Sequence, residues 1–188
     1  MATTPAFRTW TYEEFAQLPN DGNRYEVIAG ELVVSPSPSM PHQELVFRLA
    51  IQLRLFADEH QLGRVVLGPA DVLFGPGDYL EPDLLFVRRD RHGIISERGI
   101  EEAPDLVIEV LSPSTSFRDR GIKLQRYAHF GVPEYWILDP RKQQVEVHRP
   151  AEDATNVVVL TAGMLEWRPV ADGPALQIDV AALFRDLE

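Results

Sequence analysis

The 188-residue sequence contains no cysteine. Disulfides, zinc–thiolate centres and thiol nucleophiles are therefore excluded. Long apolar runs are also missing, because no stretch approaches the roughly 18 apolar residues of a membrane span. The segment from Met1 to Phe15 lacks the basic and apolar regions of a signal peptide. We therefore expect a cytoplasmic protein with no membrane partner.

An excess of basic residues is absent as well, since the formal net charge is -11. This charge argues against tight, non-specific binding to nucleic acid, because such binding grows with the number of neutralised phosphates. Residues 88 to 142 differ from the rest, with ten basic and nine acidic residues and a net charge of +1. The segment offers weak support for a phosphate-bearing substrate, although a solvated surface of mixed charge is the simpler explanation.

Turn and cap residues divide the chain into elements of one α/β domain over residues 1–188, with a mixed central β-sheet flanked by helices. Within it we expect an N-terminal helix and hairpin over about 1–40, a core over about 41–150, and C-terminal strands and a helix over about 151–188. Thr11 is the predicted cap of the first short helix, and Ser114 to Ser116 are cap candidates for the helix at 116–130. The predicted hairpin strands are 24–28 and 31–34, the other helices are 41–61 and 180–187, and the remaining strands are 64–74, 79–87, 105–111, 134–139, 143–149, 156–161 and 164–168.

Glu109 interrupts an otherwise apolar run that ends at Leu111. Such a run is typical of a strand buried on both faces. An isolated carboxylate there would cost several kcal/mol or lose its charge, so Glu109 needs a partner. A second apolar strand carries the sequence Glu81-Pro82-Asp83. Two acids on two apolar strands suggest a metal site.

The chain has two Pro-Asp dipeptides near these strands, Pro82-Asp83 and Pro104-Asp105. Carboxylates that share Mg²⁺ must bring their oxygens within roughly 4 Å, because Mg²⁺–O distances are about 2.1 Å. Asp105 shares a strand face with Glu109 but lies four residues away, roughly 13 Å along the strand. Asp105 therefore cannot be a co-ligand, whereas Asp83 can if its strand neighbours that of Glu109.

His42 lies in the first turn of the helix predicted from Pro41, on the apolar face that also carries Leu45 and Leu49. Two interpretations stay open. The residue is either a histidine at the edge of the core that bonds to backbone, or a site residue at a helix N-terminus, where anions are favoured.

Asp119, Lys123 and Tyr127 are spaced four residues apart and form a stripe on the second long helix. The simpler interpretation is a surface Asp–Lys pair that contributes a few tenths of a kcal/mol. The alternative is a catalytic lysine that holds the attacking water or the phosphate beside a metal ion.

These residues belong to a set of motifs that spans nearly the whole chain. The set comprises Tyr25-Glu26, Gly30-Glu31-Leu32, the loop from Ser35 to Pro38 that leads to His42, Glu81-Pro82-Asp83, the run from Asp105 to Thr115, Asp119, Lys123, Tyr127 and the segment from Gly131 to Trp136. In this set the chain resembles the Uma-two family of restriction-endonuclease-like proteins, within the PD-(D/E)XK nuclease superfamily.

The resemblance implies a restriction-endonuclease-like core and a Mg²⁺-dependent (or Mn²⁺-dependent) endonuclease that cleaves nucleic acid. We expect DNA ahead of RNA as the substrate, although the sequence itself does not decide between them. The resemblance also implies that Asp83 and Glu109 bind the metal, and we extend this set to the backbone carbonyl of Val110. The lysine of the superfamily's Glu-x-Lys motif would be residue 111, which is Leu111 here. The resemblance suggests that this lysine has moved to Lys123.

The remaining implied site residues are Glu26, His42 and Tyr127. Glu26 is similar to an additional acidic site residue of the family and a candidate ligand for a second metal. His42 is a candidate phosphate contact, and Tyr127 is expected to position Lys123.

Two other functions compete with the nuclease. The acidic balance and Leu111 favour a nuclease fold that no longer cuts and serves as a binding or assembly module. A small-molecule phosphohydrolase is less favoured, because the chain has neither a Gly-rich phosphate cradle nor a His-rich dimetal set. A homodimer is compatible with the nuclease, since a duplex has two strands to cut.

Overall fold

The computed structural model describes residues 10–113 and 115–187. The helical segments in this part of the chain are α1 (Tyr12–Phe15), α2 (Met40–Glu59), a 3₁₀ helix (Arg89–Ile94), α3 (Ser116–Arg118), a π-helical turn (Asp119–Lys123), α4 (Leu124–His129), α5 (Pro150–Asp153) and α6 (Val180–Leu183). The strands are β1 (Arg24–Ile28), β2 (Glu31–Ser35), β3 (Gly63–Leu67), β4 (Val72–Gly75), β5 (Asp78–Leu80), β6 (Leu84–Arg88), β7 (Leu106–Val110), β8 (Tyr135–Asp139), β9 (Gln144–Arg149), β10 (Ala154–Leu160), β11 (Met164–Trp167) and β12 (Leu176–Asp179).

A mixed six-stranded sheet forms the centre of the fold, in the order β10-β9-β8-β7-β6-β3. Its one parallel pair among the described strands is β7 with β8, and the other neighbours are antiparallel. A four-stranded antiparallel sheet, β2-β1-β5-β4, and a two-stranded sheet, β11-β12, lie outside it. The expected α/β fold with a mixed central sheet is confirmed.

The two faces of β7 pack against different helices because side chains alternate along a strand. On one face, Ile108 and Val110 share a core with Leu45 and Leu49 of α2. On the other face, Val107 packs in a second core with residues that include Tyr127 and Tyr135. Glu109 follows Val107 by two residues and therefore points toward the helical segment of residues 116–129. All five residues of β7 are buried, as the apolar run predicted.

Two predicted strands, 64–74 and 79–87, are wrong in extent because each is split between two sheets. The first divides into β3 and β4, and the second into β5 and β6. Pro69 and Pro82 lie in the breaks, and proline has no N–H to donate to a strand ladder. The second break places Glu81-Pro82-Asp83 at the crossover from one sheet to the other.

The other predicted elements agree with the structure to within a few residues, except that the final helix is only Val180–Leu183. Thr11 caps α1 in a reciprocal capping box with Glu14. The strand β12, the 3₁₀ helix and α5 were not predicted. Of the cap candidates, Ser114 lies outside the described residues. No helix in the described ranges is both long and apolar enough to cross a bilayer.

Candidate functional site

A pocket of about 210 Å³ lies where the N-terminus of α2, the hairpin β1–β2 and the end of β7 meet the helical segment of residues 116–129. Its charged and titratable lining consists of Arg24, Glu26, His42, Asp83, Glu109, Asp119 and Lys123. Five predicted site side chains therefore share one pocket, together with Val110. Tyr127, the sixth, is fully buried and hydrogen-bonds to one of them.

Asp83 and Glu109 face each other across neighbouring strands. Leu84 of β6 pairs with Ile108 of β7 in an antiparallel register, so the next residues outward are Asp83 and Glu109. The backbone N–H of Val110 donates to Oδ2 of Asp83 over 2.7 Å. The strand arrangement required for Asp83 as a partner of Glu109 is present, while the Val110 carbonyl stays a predicted ligand.

Glu109 meets two donors through a single oxygen. Its Oε1 accepts from Lys123 Nζ at 2.8 Å and from the Tyr127 hydroxyl at 3.0 Å. Burial raises the pKa of Glu109, and the nearby acids Asp83, Asp119 and Glu26 raise it further, whereas Lys123 lowers it. Among the described residues, no donor binds the second oxygen, Oε2.

The ammonium group of Lys123 lies close to three carboxylates. Its Nζ lies 2.8 Å from Oε1 of Glu109, 2.8 Å from Oε1 of Glu26 and 3.7 Å from Oδ1 of Asp119. The interpretation as a surface Asp–Lys pair is wrong, because Asp119 and Lys123 are 1% and 3% exposed. Burial alone would lower the pKa of Lys123, but Glu109, Glu26 and Asp119 outweigh it and raise the pKa. The ammonium group is therefore a charged donor.

The π-helical turn places this lysine. It spans Asp119–Lys123 and widens the helix in the segment that faces β7. Such turns are rare and occur often at functional sites. Regular helical spacing predicted the stripe of Asp119, Lys123 and Tyr127 but gave no sign of the wider turn.

Asp83 is held by three donors. Arg24 Nη1 donates to Oδ1 at 2.6 Å, and His42 Nε2 lies 3.2 Å from the same oxygen. The N–H of Val110 occupies Oδ2. Burial opposes ionisation of Asp83, but the contacts with His42 and Arg24 prevail and lower its pKa to about 2. Asp83 is thus ionised at neutral pH.

His42 lines the pocket, and its ring contacts Asp83 and not backbone. Its backbone N–H donates to the hydroxyl of Ser39, which caps α2, over 3.4 Å, and its Nε2 faces Asp83. The other ring nitrogen, Nδ1, is buried and has no hydrogen-bond partner within the described ranges. The Nε2 edge of the ring therefore orients Asp83, while Nδ1 makes no hydrogen bond to the described residues.

Asp105 and Leu111 lie outside this arrangement. Asp105 accepts from the backbone N–H of Arg88 at 2.8 Å and from Arg91 at 3.1 Å, at the opposite end of β7. Leu111 packs in the apolar cluster with Tyr127. The position of the superfamily lysine is thus part of the core, and Lys123 supplies the only ammonium among the described residues that line the pocket.

Arg24 and Glu81 are the site neighbours that were not predicted. Alternation along β1 puts Arg24 on the same strand face as Glu26, a signal that could have identified it. Glu81 lies 3.7 Å from Arg24 Nε. Burial raises the pKa of Glu81, and with the neighbouring Asp71 it brings the value to about 7. Asp71 lies ten residues before Glu81 and opposite it across the antiparallel pair β4–β5, in which Val72 pairs with Leu80. The strand bounds predicted from the sequence did not give this register.

The acids suit a hard divalent cation bound without a protein cage. No three His, Cys, Asp or Glu side chains in the described part of the chain form a preformed metal cluster. Mg²⁺ is commonly held by one or two carboxylates, keeps several waters and takes further oxygens from substrate phosphates. Asp83 and Glu109, opposite each other on neighbouring strands, fit that requirement.

A solved structure shares this fold. A search of solved structures finds a chain from Anabaena variabilis ATCC 29413, described as a "putative nuclease belonging to DUF820". The two share 23% sequence identity and superpose with a TM-score of 0.77, over 95% of this chain and 99% of that chain. The chain therefore has the same α/β fold.

The family follows from the sequence match. Residues 12–181 match the Uma2 family model, which is described as "Putative restriction endonuclease". The chain belongs to the Uma2 family, a family of restriction-endonuclease-like nucleases, as the motif set indicated. None of the curated proteins matches the chain.

Proposed function

We propose that this protein is a Mg²⁺-dependent endonuclease that hydrolyses phosphodiester bonds of nucleic acid, with DNA as the preferred substrate. Mn²⁺ is expected to substitute for Mg²⁺. The observation that carries the proposal is the meeting of Asp83, Glu109 and Lys123, from two strands and a helix, in one pocket. Membership of the Uma2 family supports the same class of reaction.

Asp83, Glu109 and the Val110 carbonyl would hold the metal. Bound there, the ion would activate a water and offset charge on the phosphate in the transition state. Asp83 stays ionised because Arg24 and His42 hold its charged form. The Tyr127 hydroxyl fixes the orientation of Glu109 through a hydrogen bond of 3.0 Å.

Lys123 would act as an electrostatic aid and not as a general base. The surrounding carboxylates raise its pKa, so it keeps its proton at neutral pH and cannot accept another. From its place beside Glu109 the ammonium group would orient the attacking water or stabilise the phosphate oxygens. Glu26, 2.8 Å from Nζ, holds the lysine in this position.

Thermal unfolding with and without Mg²⁺ or Mn²⁺ tests the metal site directly. A ligand at about 100 times its dissociation constant should stabilise the folded protein by roughly 2.7 kcal/mol. We expect this gain for the wild type and its loss in Glu109→Gln, which keeps the shape of the side chain but removes its charge. Asp105→Asn is the matched control, and it should respond to metal like the wild type.

Cleavage of plasmid DNA and of a matched RNA then tests the reaction and the substrate preference. Cleavage by the wild type with Mg²⁺, and none after chelation, supports the proposal. A wild type that neither gains stability with either metal nor cuts any substrate would refute it.

A non-cutting nuclease fold that binds or assembles with a partner is the second candidate. Leu111 favours it, because the superfamily's lysine position lies in the apolar core. Nucleic-acid binding without cleavage, in the presence of either metal, would support this alternative.

The proposal includes a DNA duplex as the binding partner and a homodimer as the form that binds it. Two copies would bring two pockets to the two strands of a duplex. Sedimentation with and without a short duplex measures the assembly, and a monomer that makes only single-strand nicks would contradict the dimer.

A further inference from the structure

Arg24 is a cation of the site whose only role in the proposed reaction is to keep Asp83 ionised. Its Nη1 donates to Asp83, and its Nη2 donates to the backbone carbonyl of Glu81. Its Nε lies 3.7 Å from the Glu81 carboxylate, is buried and has no hydrogen-bond partner within the described residues. The guanidinium thus fixes a candidate metal ligand, and Nε is its one nitrogen without a hydrogen bond among the described residues.

The charges around the pocket give Arg24 one role that does not involve substrate. Two cations, Arg24 and Lys123, face four acids: Glu26, Asp83, Glu109 and Asp119. A guanidinium beside Asp83 reduces the repulsion among these acids. A divalent cation bound by Asp83 would stand close to this guanidinium, and like charges repel at such distances. An anion between the two cations would relieve that repulsion.

The position of Arg24 between two cavities indicates which anion fits. The side chain lines both the 210 Å³ pocket and a neighbouring pocket of about 430 Å³. The second pocket also has polar side chains, among them Asn20, Asn23 and Gln43. A chain of nucleotides that lies across both pockets would contact the guanidinium. The planar fork of an arginine matches two oxygens of a phosphate.

We propose that Arg24 is a phosphate-binding residue of this site. Without substrate, its guanidinium neutralises Asp83 and its Nε is buried beside Glu81; with metal and nucleic acid bound, the side chain turns so that Nε–H and an Nη–H donate to a phosphodiester next to the metal. The inference rests on the proposed nuclease function. It predicts opposite effects of one substitution, because removing Arg24 should favour the metal and disfavour the nucleic acid.

The first measurement is Mn²⁺ binding without nucleic acid, by calorimetry, for wild type, Arg24→Gln and Arg54→Gln. Arg24→Gln removes a positive charge beside Asp83, so the dissociation constant for Mn²⁺ should fall by about 10-fold. Arg54 lies on the exposed side of α2 and pairs with Asp58, so Arg54→Gln makes the same charge change away from the site. It should bind Mn²⁺ as the wild type does.

The second measurement is binding of a short DNA duplex in Ca²⁺ over a range of salt concentrations. Arg24→Gln should bind about 10-fold more weakly and lower the salt slope by about one phosphate contact. Arg54→Gln should leave the slope unchanged. If Arg24 had only a structural role, Arg24→Gln would weaken the binding of both Mn²⁺ and DNA. Tighter Mn²⁺ binding together with weaker DNA binding therefore distinguishes a phosphate-binding role from a structural one.

Circular dichroism checks whether Arg24→Gln is folded. If it is not, Arg24→Lys is the variant that tests the proposal. This variant keeps the charge but loses the fork, so Mn²⁺ affinity should match the wild type while kcat/KM for cleavage falls. Tighter Mn²⁺ binding by Arg24→Lys would overturn the charge argument.

The failures of the two proposals are distinguishable. If the wild type binds Mn²⁺ and cuts DNA, but Arg24→Gln changes neither Mn²⁺ affinity nor the salt slope, the role of Arg24 is refuted and the nuclease stands. If the wild type neither binds Mn²⁺ nor cuts, both are refuted together.

Discussion

Two Pro-Asp dipeptides stand in the same local position, one residue before a strand of the central sheet, but have different surroundings. Asp83 precedes β6 and Asp105 precedes β7. Because β6 and β7 are antiparallel, the two aspartates lie at opposite ends of the strand pair. Asp83 faces Glu109 in the pocket, whereas Asp105 meets Arg88 and Arg91.

The difference is one of charge balance. Asp105 has its own arginines, as Asp78 has Arg126 in another part of the molecule. At the pocket the acids outnumber the cations, and Lys123 is shared among three of them. A region with uncompensated buried carboxylates can gain a divalent cation, whereas a balanced ion pair has no such need. Asp83 also has its own arginine, Arg24, so the excess of acids lies with the three carboxylates around Lys123. Asp83 is a candidate because it lies opposite one of them, Glu109.

The largest expected effect is on cleavage. Asp83→Asn and Glu109→Gln should each lower kcat/KM by at least about 100-fold, because they remove the charge that binds the metal and so the stabilisation of the transition state. Asp105→Asn should leave kcat/KM unchanged. Initial rates of plasmid cleavage measure this contrast, and circular dichroism confirms that each variant is folded. Equal losses of kcat/KM in Asp83→Asn and Asp105→Asn would contradict the proposed difference between the two aspartates.

The sequence predicts much of this contrast. The apolar run around Glu109 correctly indicated a strand buried on both faces, and spacing along one strand separated Asp105 from Glu109. The pairing of β6 with β7 is a long-range contact, so no local pattern could establish that Asp83 faces Glu109. The predicted roles of these residues stay predictions.

Other features of the site could not be predicted because they depend on tertiary structure. Helical spacing cannot decide whether Asp119 and Lys123 face water or a sheet, and the simpler surface interpretation was wrong. The contact of Arg24 with Asp83 joins residues 59 positions apart. Their proximity results from the break at Pro82, which the prediction of one continuous strand over 79–87 concealed.

The next largest effect is on stability, through Lys123. Lys123→Met removes the one cation shared by Glu26, Glu109 and Asp119, and breaking a buried ion pair from one side costs about 3–5 kcal/mol. Urea unfolding at neutral pH measures the loss. The double variant Lys123→Met/Glu109→Gln should regain part of the lost stability, because it also removes one of the carboxylate charges that Lys123 neutralises. A single variant as stable as the wild type would contradict the shared-cation arrangement.

A smaller loss of stability is expected at Asp105. Asp105→Asn keeps the shape of the side chain but weakens the charge-assisted bonds from Arg88 and Arg91, which should cost about 1–2 kcal/mol. Urea unfolding measures this cost, and the metal-dependent gain in stability should be the same as in the wild type. Loss of the metal response in Asp105→Asn would show that the balanced region and the pocket are not independent.

The smallest effect extends the comparison to a third acid, Glu146, which is balanced by a cation as Asp105 is. Arg120 donates to both oxygens of Glu146, and His148 lies 3.7 Å away. Burial opposes ionisation, but these neighbours lower the pKa of Glu146 to about 2, below the value of about 4.3 in unfolded chains. A lowered pKa contributes stability above the unfolded value, and that contribution is lost as the pH falls toward 2.

Because Arg120 is about a third exposed, with a side-chain exposure of 32%, solvent screening should limit the contribution to about 1 kcal/mol. Glu146→Gln should therefore be less stable than the wild type at pH 6, and the difference should shrink steadily between pH 5 and pH 2. Urea unfolding of both proteins across that range measures the difference. A difference that stays constant with pH would mean that Glu146 contributes shape and hydrogen bonds but no charge, and the analogy with Asp105 would fail.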